Sequence, residues 1–227
     1  ITGYIAITIF LVANWAFAWV FPDNIFDIGF ATLGPFFEMA PFIFLFLIPA
    51  VTMRSFAEEK NTGTIELLAT RPLTDTQIIL GKYFAALFLV VFSVLPTIIY
   101  YWAIGELSAP RGNVDTGGII GSYIGLTFLG AAFAAIGIFA SAITSNQIVS
   151  FIAALIMCFV CFVGFDVFSE MLVSVSNLDS VVLKLSIREH YNSMSKGVID
   201  TRDVVYFLTL IAAFILFTKT ALESRKW

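Results

Sequence analysis

Charged residues are scarce in this sequence. Only 12% of its 227 residues are Asp, Glu, Lys or Arg, against about 25% in an ordinary soluble domain. The 12 Lys and Arg do not outnumber the 16 Asp and Glu, so the chain lacks the basic surface that binds nucleic acid. With 59% hydrophobic residues and a mean hydropathy of +0.96, the composition excludes a disordered or fibrous protein and nearly every soluble enzyme. We predict an integral membrane protein.

Side chains that carry chemistry are also few. His190 is the only histidine and cannot build a zinc site by itself, so we expect a surface or interfacial residue. Cys158 and Cys161 have C-x-x-C spacing but lie inside an apolar segment, where we expect them to pack as small hydrophobes. A phosphate-binding loop is missing, because Gly81-Lys82 is followed by Tyr83 instead of Ser or Thr. We predict no catalytic residue and no metal site, and any ATP that drives this protein is bound by another chain.

Six apolar stretches are candidates for crossing a membrane, which takes about 20 helical residues, and we expect the last and shortest to gain a turn from its flanks. They are Thr2–Phe21, Phe36–Met53, Phe84–Ile104, Ile119–Ile143, Ile148–Phe165 and Val204–Thr218. None alternates polar and apolar residues as a membrane barrel strand does. We therefore predict an all-α bundle of six transmembrane helices that forms a single domain over residues 1–227.

Basic residues orient the bundle, because short cytoplasmic loops are enriched in Lys and Arg. The segment after the second span carries four of them and the tail after the sixth carries three, whereas the loop after the first carries none. The loop at 166–203 carries four basic residues beside six acidic ones, and its length weakens the rule there. We predict that both termini and the segment after span two are cytoplasmic.

Two patterns predict how the helices pack. Span four carries small residues at helical spacing, a ridge that lets another helix approach closely: Gly121, Gly125, Gly130 and Gly137. We expect packing within this bundle, with a subunit interface as the alternative. Between spans five and six, apolar residues recur every three or four positions from Phe168 to Leu185, which predicts an external amphipathic helical segment.

Polar residues and prolines mark further positions along the spans. Asp200 and Asp203 are expected to cap the start of span six. Pro49 and Pro96 are expected to kink spans two and three, because each removes one helix hydrogen bond.

The segment between Arg54 and Lys82 is far longer than a connection between two neighbouring spans needs. Ser55-Phe56-Ala57-Glu58 has the pattern of a capping box and predicts a short helix, which Asn61-Thr62-Gly63 ends. Thr74-Asp75-Thr76-Gln77 is a second such pattern, at the start of span three.

Apolar residues also lie on the water side of the membrane in this segment, namely Ile65, Leu67 and Leu68. Exposed apolar residues surrounded by charge usually bind a partner. The alternative is a solvated linker.

The same segment resembles the signature of type-2 ABC exporter permeases. The resemblance rests on Arg54, Glu58, Glu59, Gly63, Thr64, Glu66, Leu67, Leu68 and Pro72, followed by Gly81-Lys82. In that family the segment is a coupling helix that docks on a separate ATPase subunit. The resemblance implies a bacterial inner-membrane permease, paired with a second permease over an ATPase dimer that binds ATP and Mg. It also implies a cytoplasmic elbow helix at the start of the domain, which we expect to be missing here.

A softer similarity is to the gliding-motility-associated permease. It lies in Pro35–Glu38, Met53–Glu59, His190-Tyr191 and Gly197–Asp200. This branch implies that the second permease is a different protein, although a homodimer stays open.

Two other functions remain open at this point. A membrane scaffold that uses the ATPase to remodel an external partner fits the sequence as well as an exporter does. A secondary transporter fits less well, because the spans are nearly free of the charged residues that couple ions or protons. Spans so poor in polar residues fit a lipid-like substrate or no substrate.

The loop charges generate a topological prediction. In otherwise cysteine-free chains, we expect Asn61→Cys to react with a membrane-impermeant thiol reagent only from the cytoplasm and Asn113→Cys only from outside. Labelling of both positions from the same side would contradict the six-span arrangement.

Overall fold

The computed structural model describes residues 2–22, 24–26, 29–64, 73–172 and 182–224, and the regular structure in these ranges is helical. The helices are α1 (Thr2–Trp19), α2 (Gly34–Thr52), α3 (Arg54–Asn61), α4 (Asp75–Val94), α5 (Ile98–Leu107), α6 (Thr116–Ile143), α7 (Gln147–Phe159), α8 (Phe165–Leu172), α9 (Ile187–Ser195) and α10 (Thr201–Glu223). The prediction of an all-α chain is confirmed for these ranges.

Five helical stretches among the described residues are long and apolar enough to cross a membrane. They are Gly34–Asn61, Asp75–Leu107, Thr116–Ile143, Gln147–Met171 and Thr201–Glu223, and they include predicted spans two to six. The apolar helix over Gly3–Trp19 is shorter, so the first span stays a prediction. The chain is therefore a multi-pass helical membrane protein.

Several helices begin at the residues that the sequence predicts. Thr74 and Gln77 form the reciprocal capping box of α4, with the amide of Gln77 3.3 Å from Thr74 Oγ1. Asp200 caps α10 by accepting a hydrogen bond from the amide of Arg202 at 2.9 Å. Only residues 144–146 separate α6 from α7, so these two helices are antiparallel neighbours.

Two interruptions divide the longer spans. A 3₁₀ turn at Leu95–Thr97, which contains Pro96, separates α4 from α5, as expected where proline removes a helix hydrogen bond. Pro49 lies inside α2 without ending it. A π-helical turn at Val160–Gly164 joins α7 to α8, and no feature of the sequence predicted it.

Cys158, in α7, is fully buried and forms no disulfide.

Helix α6 lies at the centre of the bundle. It contacts α2, α3, α4, α7, α9 and α10, and most of its residues are buried. Its glycines lie against other parts of this chain, where an added Cβ would meet neighbouring atoms: Gly121 faces the Met194 carbonyl, Gly125 faces Tyr191, Gly130 faces Val90, and Gly137 faces Thr52. The small residues of α6 therefore pack within the chain.

Gly137 gives a direct test of this close packing. A Cβ at this position would overlap Thr52 Oγ1, whose hydroxyl is bonded to the Ile48 carbonyl. We expect Gly137→Ala to destabilise the protein by about 1–3 kcal/mol, the usual cost of overpacking, and to lower the thermal unfolding midpoint in detergent.

Gly81→Ala is the matched control, because Gly81 lies in α4 with open space around the added Cβ. It should leave stability unchanged or raise it by about 1 kcal/mol through helix propensity. Equal midpoints for the two variants would contradict the packing described for α6.

Candidate functional site

Helix α3 follows α2 after a single residue, Met53, and has one buried and one exposed face. Phe56 and Ala57 are buried, whereas Arg54 and Glu58 are exposed. The helix ends as predicted: Thr62 is its C-cap, and Gly63 follows with φ of 72°, a conformation that glycine adopts without strain.

The start of α3 differs from the sequence prediction. Ser55 does not cap the helix, because α3 begins at Arg54 and its N-cap, Met53, makes no side-chain capping bond. The cap comes from another helix. Ser141 Oγ, in the last turn of α6, accepts hydrogen bonds from the amides of Phe56 and Ala57 at 2.8 and 3.0 Å.

Ser141 uses its full hydrogen-bonding capacity in this position. Its hydroxyl also donates to the carbonyl of Met53 at 3.0 Å, so one side chain joins both sides of the junction between α2 and α3. Ser141 is itself completely buried. The orientation of α3 is thus tied to α6.

Two lysines add further attachments. Lys82, in the second turn of α4, lies 2.5 Å from Glu59 Oε1, donates to the Ser55 carbonyl, and lies over the ring of Phe56 at 4.6 Å from its centroid. Both members of the ion pair are about three-quarters buried, which reduces screening by water. Lys60 donates to the carbonyl of Ala142 at the end of α6.

The predicted coupling residues fall into three groups. Glu59 joins the contacts between α3 and α4, whereas Arg54, Glu58, Gly63 and Thr64 are exposed along α3 and the turn that follows it. Glu66, Leu67, Leu68 and Pro72 lie outside the described residues.

Sequence reasoning missed the two residues that hold α3 in place. Ser141 lies one turn after Gly137 in the ridge of small residues, a pattern that predicts only packing. Lys82 follows Pro72 in the family pattern, which predicts no contact for it. A lysine within an apolar stretch is a signal in itself, because such charges need a partner.

The opposite end of the bundle carries a second polar contact. We call the end where α3 lies the α3 end and the end where α9 lies the α9 end. His190 Nδ1 lies 2.7 Å from Asp203 Oδ1, His190 Nε2 lies 3.0 Å from the Lys184 carbonyl, and the imidazole stacks on Tyr206. Asp203 lies in the first turn of α10, as expected, but its side chain binds His190 and the cap is formed by Asp200 alone. His190 lies at the interface of two helices. The two side chains join α9 to α10.

Comparison with known protein families assigns this chain. The family model described as ABC-2 family transporter protein matches residues 5–224. The chain belongs to the ABC-2 transporter family. A comparison with curated proteins gives no significant match.

Family membership supports a permease subunit of an ABC transporter. Membrane domains of the ABC-2 family are generally non-catalytic, and the ATPase activity resides in a partner. In this ABC-2 chain, the described residues hold no group of three or more His, Cys, Asp or Glu side chains arranged to bind a metal ion.

The contacts of Ser141 predict a stability effect. Ser141→Ala leaves the buried amides of Phe56 and Ala57 without an acceptor, so we expect it to destabilise the protein by about 1–3 kcal/mol. The measurement is the thermal unfolding midpoint of the purified chain.

Ser150→Ala provides the matched control. Ser150 is also completely buried in the bundle, but its hydroxyl has no hydrogen-bond partner. Its replacement should leave the midpoint unchanged or raise it slightly. A Ser141→Ala midpoint equal to that of Ser150→Ala would mean that the cap contributes nothing.

Proposed function

We propose that this chain is the transmembrane permease subunit of an ABC exporter-like complex and that a separate ATPase subunit docks on α3 and the residues that follow it. The observation that carries the proposal is the two-sided character of α3. One face packs against α6 and α7 and is bonded to α6 and α4, while Arg54 and Glu58 stay exposed on the other. A surface segment fixed in this way transmits a displacement instead of absorbing it.

The contacts of α3 determine which helices would move. Helix α3 continues from α2, is bonded to α6 through Ser141 and Lys60, and is bonded to α4 through Lys82. ATP-driven closure of the ATPase dimer would therefore act on α2, α4 and α6 together. A rigid-body shift of packed helices is a common form of such transitions.

Apolar contacts should supply most of the docking affinity. Burying Leu67 and Leu68 in a groove on the ATPase is worth roughly 1.5–3 kcal/mol each. An exposed salt bridge from Glu58 would add about 0–1 kcal/mol. Packing would therefore set the affinity and charge would set the orientation.

We also propose the finer assignment that the resemblance implies. The chain would cross the bacterial inner membrane six times with both termini in the cytoplasm, and its partner would be a second, different permease. The work of the complex would serve gliding motility, either by moving a solute or by mechanical action on an external partner. ATP and Mg would be bound by the ATPase subunits.

The docking segment gives the decisive test. We expect Leu67→Asp combined with Leu68→Asp to abolish copurification of the ATPase, because two buried apolar contacts are replaced by charges, while insertion into the membrane is unchanged. Copurification is measured at matched expression in mild detergent.

Glu58→Gln is the control, since Glu58 is exposed. Glu59 is not suitable, because it forms an ion pair with Lys82. It should retain most of the ATPase. The purified permease by itself should show no ATP hydrolysis above background. A double leucine variant that still binds and stimulates the ATPase would reduce the segment to a linker and overturn the proposal.

A further inference from the structure

A polar cavity of about 570 Å³ opens at the α9 end of the bundle, between α2, α6 and α9. This volume lies within the range of about 300–1,000 Å³ that is usual for small-molecule sites. Its wall is held by Tyr191, whose buried hydroxyl donates to the carbonyl of Phe37 at 2.8 Å. Burial raises the pKa of Tyr191 well above its usual range, so the hydroxyl remains a donor.

Charges of both signs line this cavity, and each comes from a different element. Glu38 belongs to α2, Asp115 is the N-cap of α6, and Arg188 belongs to α9. All three are exposed to solvent. Arg188 also approaches Asp166 at 3.6 Å with its side chain 46% exposed, a loose pair that leaves its guanidinium accessible.

The remaining lining includes four aromatic side chains, Phe37, Phe42, Phe162 and Tyr191, and continues onto the outer surface of α2. Phe42 and Phe162 meet edge to face with their centroids 5.6 Å apart, and both line the cavity. Phe42 is 39% exposed and Met39 is 36% exposed, so the apolar lining reaches the outer surface of α2. The cavity therefore joins a polar chamber to an exposed apolar surface.

We propose that this cavity binds the headgroup of a zwitterionic phospholipid. The phosphate lies at Arg188, the ammonium group lies at Glu38 and Asp115 against the aromatic rings, and the acyl chains follow Met39 and Phe42. Guanidinium groups recognise phosphate, and carboxylates with aromatic faces recognise ammonium.

Simpler ligands match this lining less well. A free phosphate would face two carboxylates, and a lone ammonium ion would face a guanidinium. A neutral sugar would leave all three charges without a counterpart. A soluble zwitterion would leave the apolar extension along Met39 and Phe42 unused.

The position of the cavity suggests what binding does, and this part rests on the proposed function. Its walls, α2 and α6, are the helices to which α3 is attached at the other end. A lipid that binds between them would respond to ATPase-driven movement of α3, as a substrate or as a regulator.

The test uses the full chain in detergent, titrated with dihexanoyl-phosphatidylethanolamine and, for comparison, dihexanoyl-phosphatidylglycerol, which lacks the ammonium group. We expect Glu38→Gln and Asp115→Asn each to weaken binding of the ethanolamine lipid about tenfold, as for loss of a charged hydrogen-bond partner, without weakening the glycerol lipid. Arg188→Gln should weaken both. Asn caps a helix as well as Asp does, so Asp115→Asn keeps α6 intact and carries the test if Glu38→Gln does not fold.

Glu106→Gln and Arg111→Gln are matched charge controls, because this exposed pair lies outside the cavity with its atoms 3.7 Å apart. Neither should change lipid affinity. Wild-type binding by Asp115→Asn, or equal binding of both lipids by the wild type, would overturn the proposal. Equal affinity for glycerophosphoethanolamine would assign the site to a soluble zwitterion and contradict the lipid.

Copurification of the ATPase, measured on the same preparations, separates the two hypotheses. A wild-type chain that does not discriminate between the two lipids, with the ATPase still bound, contradicts only the lipid site. Selective lipid binding without any ATPase contradicts only the proposed function.

Discussion

Close packing on the small side chains of α6 is the constraint on which the rest of this structure depends. Inside a bilayer, apolar helices gain little from burying one another, because lipid is as apolar as they are, so association relies on van der Waals contact and hydrogen bonds. Gly130 and Gly137 let α4 and α2 approach the α6 backbone, and Gly121 and Gly125 do the same for α9. A bulkier α6 would separate the elements that form both candidate sites.

Ser141 adds hydrogen bonds between α6 and the start of α3 to that packing. The first amides of any helix lack partners within the helix and must find an acceptor. In α3 the acceptor is a side chain of α6, so the short helix keeps its start only while it stays in contact with the bundle. A short helix that was capped by its own residues would have no such dependence. Lys82 and Lys60 strengthen the same connection from α4 and from within α3.

Helix α6 also relates the two ends of the molecule. About 20 residues separate Gly121 from Ser141, which corresponds to roughly 30 Å of helix and to the thickness of the hydrocarbon core. At one end α6 holds α3, and at the other it packs against α9, which the contact between His190 and Asp203 joins to α10. A single helix therefore contacts both α3 and the wall of the polar cavity, which is the route that the proposed coupling would use.

The sequence by itself determined the features that depend on residues close together in the chain. These are predicted spans two to six, the capping box at Thr74, the cap at Asp200 and the end of α3 at Gly63. It also predicts a candidate site in the segment around α3, because apolar residues among charges are visible without a structure. Only the tertiary structure decided what holds that segment. Ser141 and Phe56 are 85 residues apart in the chain. The start of α3 is therefore capped by Ser141, which only helix packing brings within reach, and not by the local pattern at Ser55.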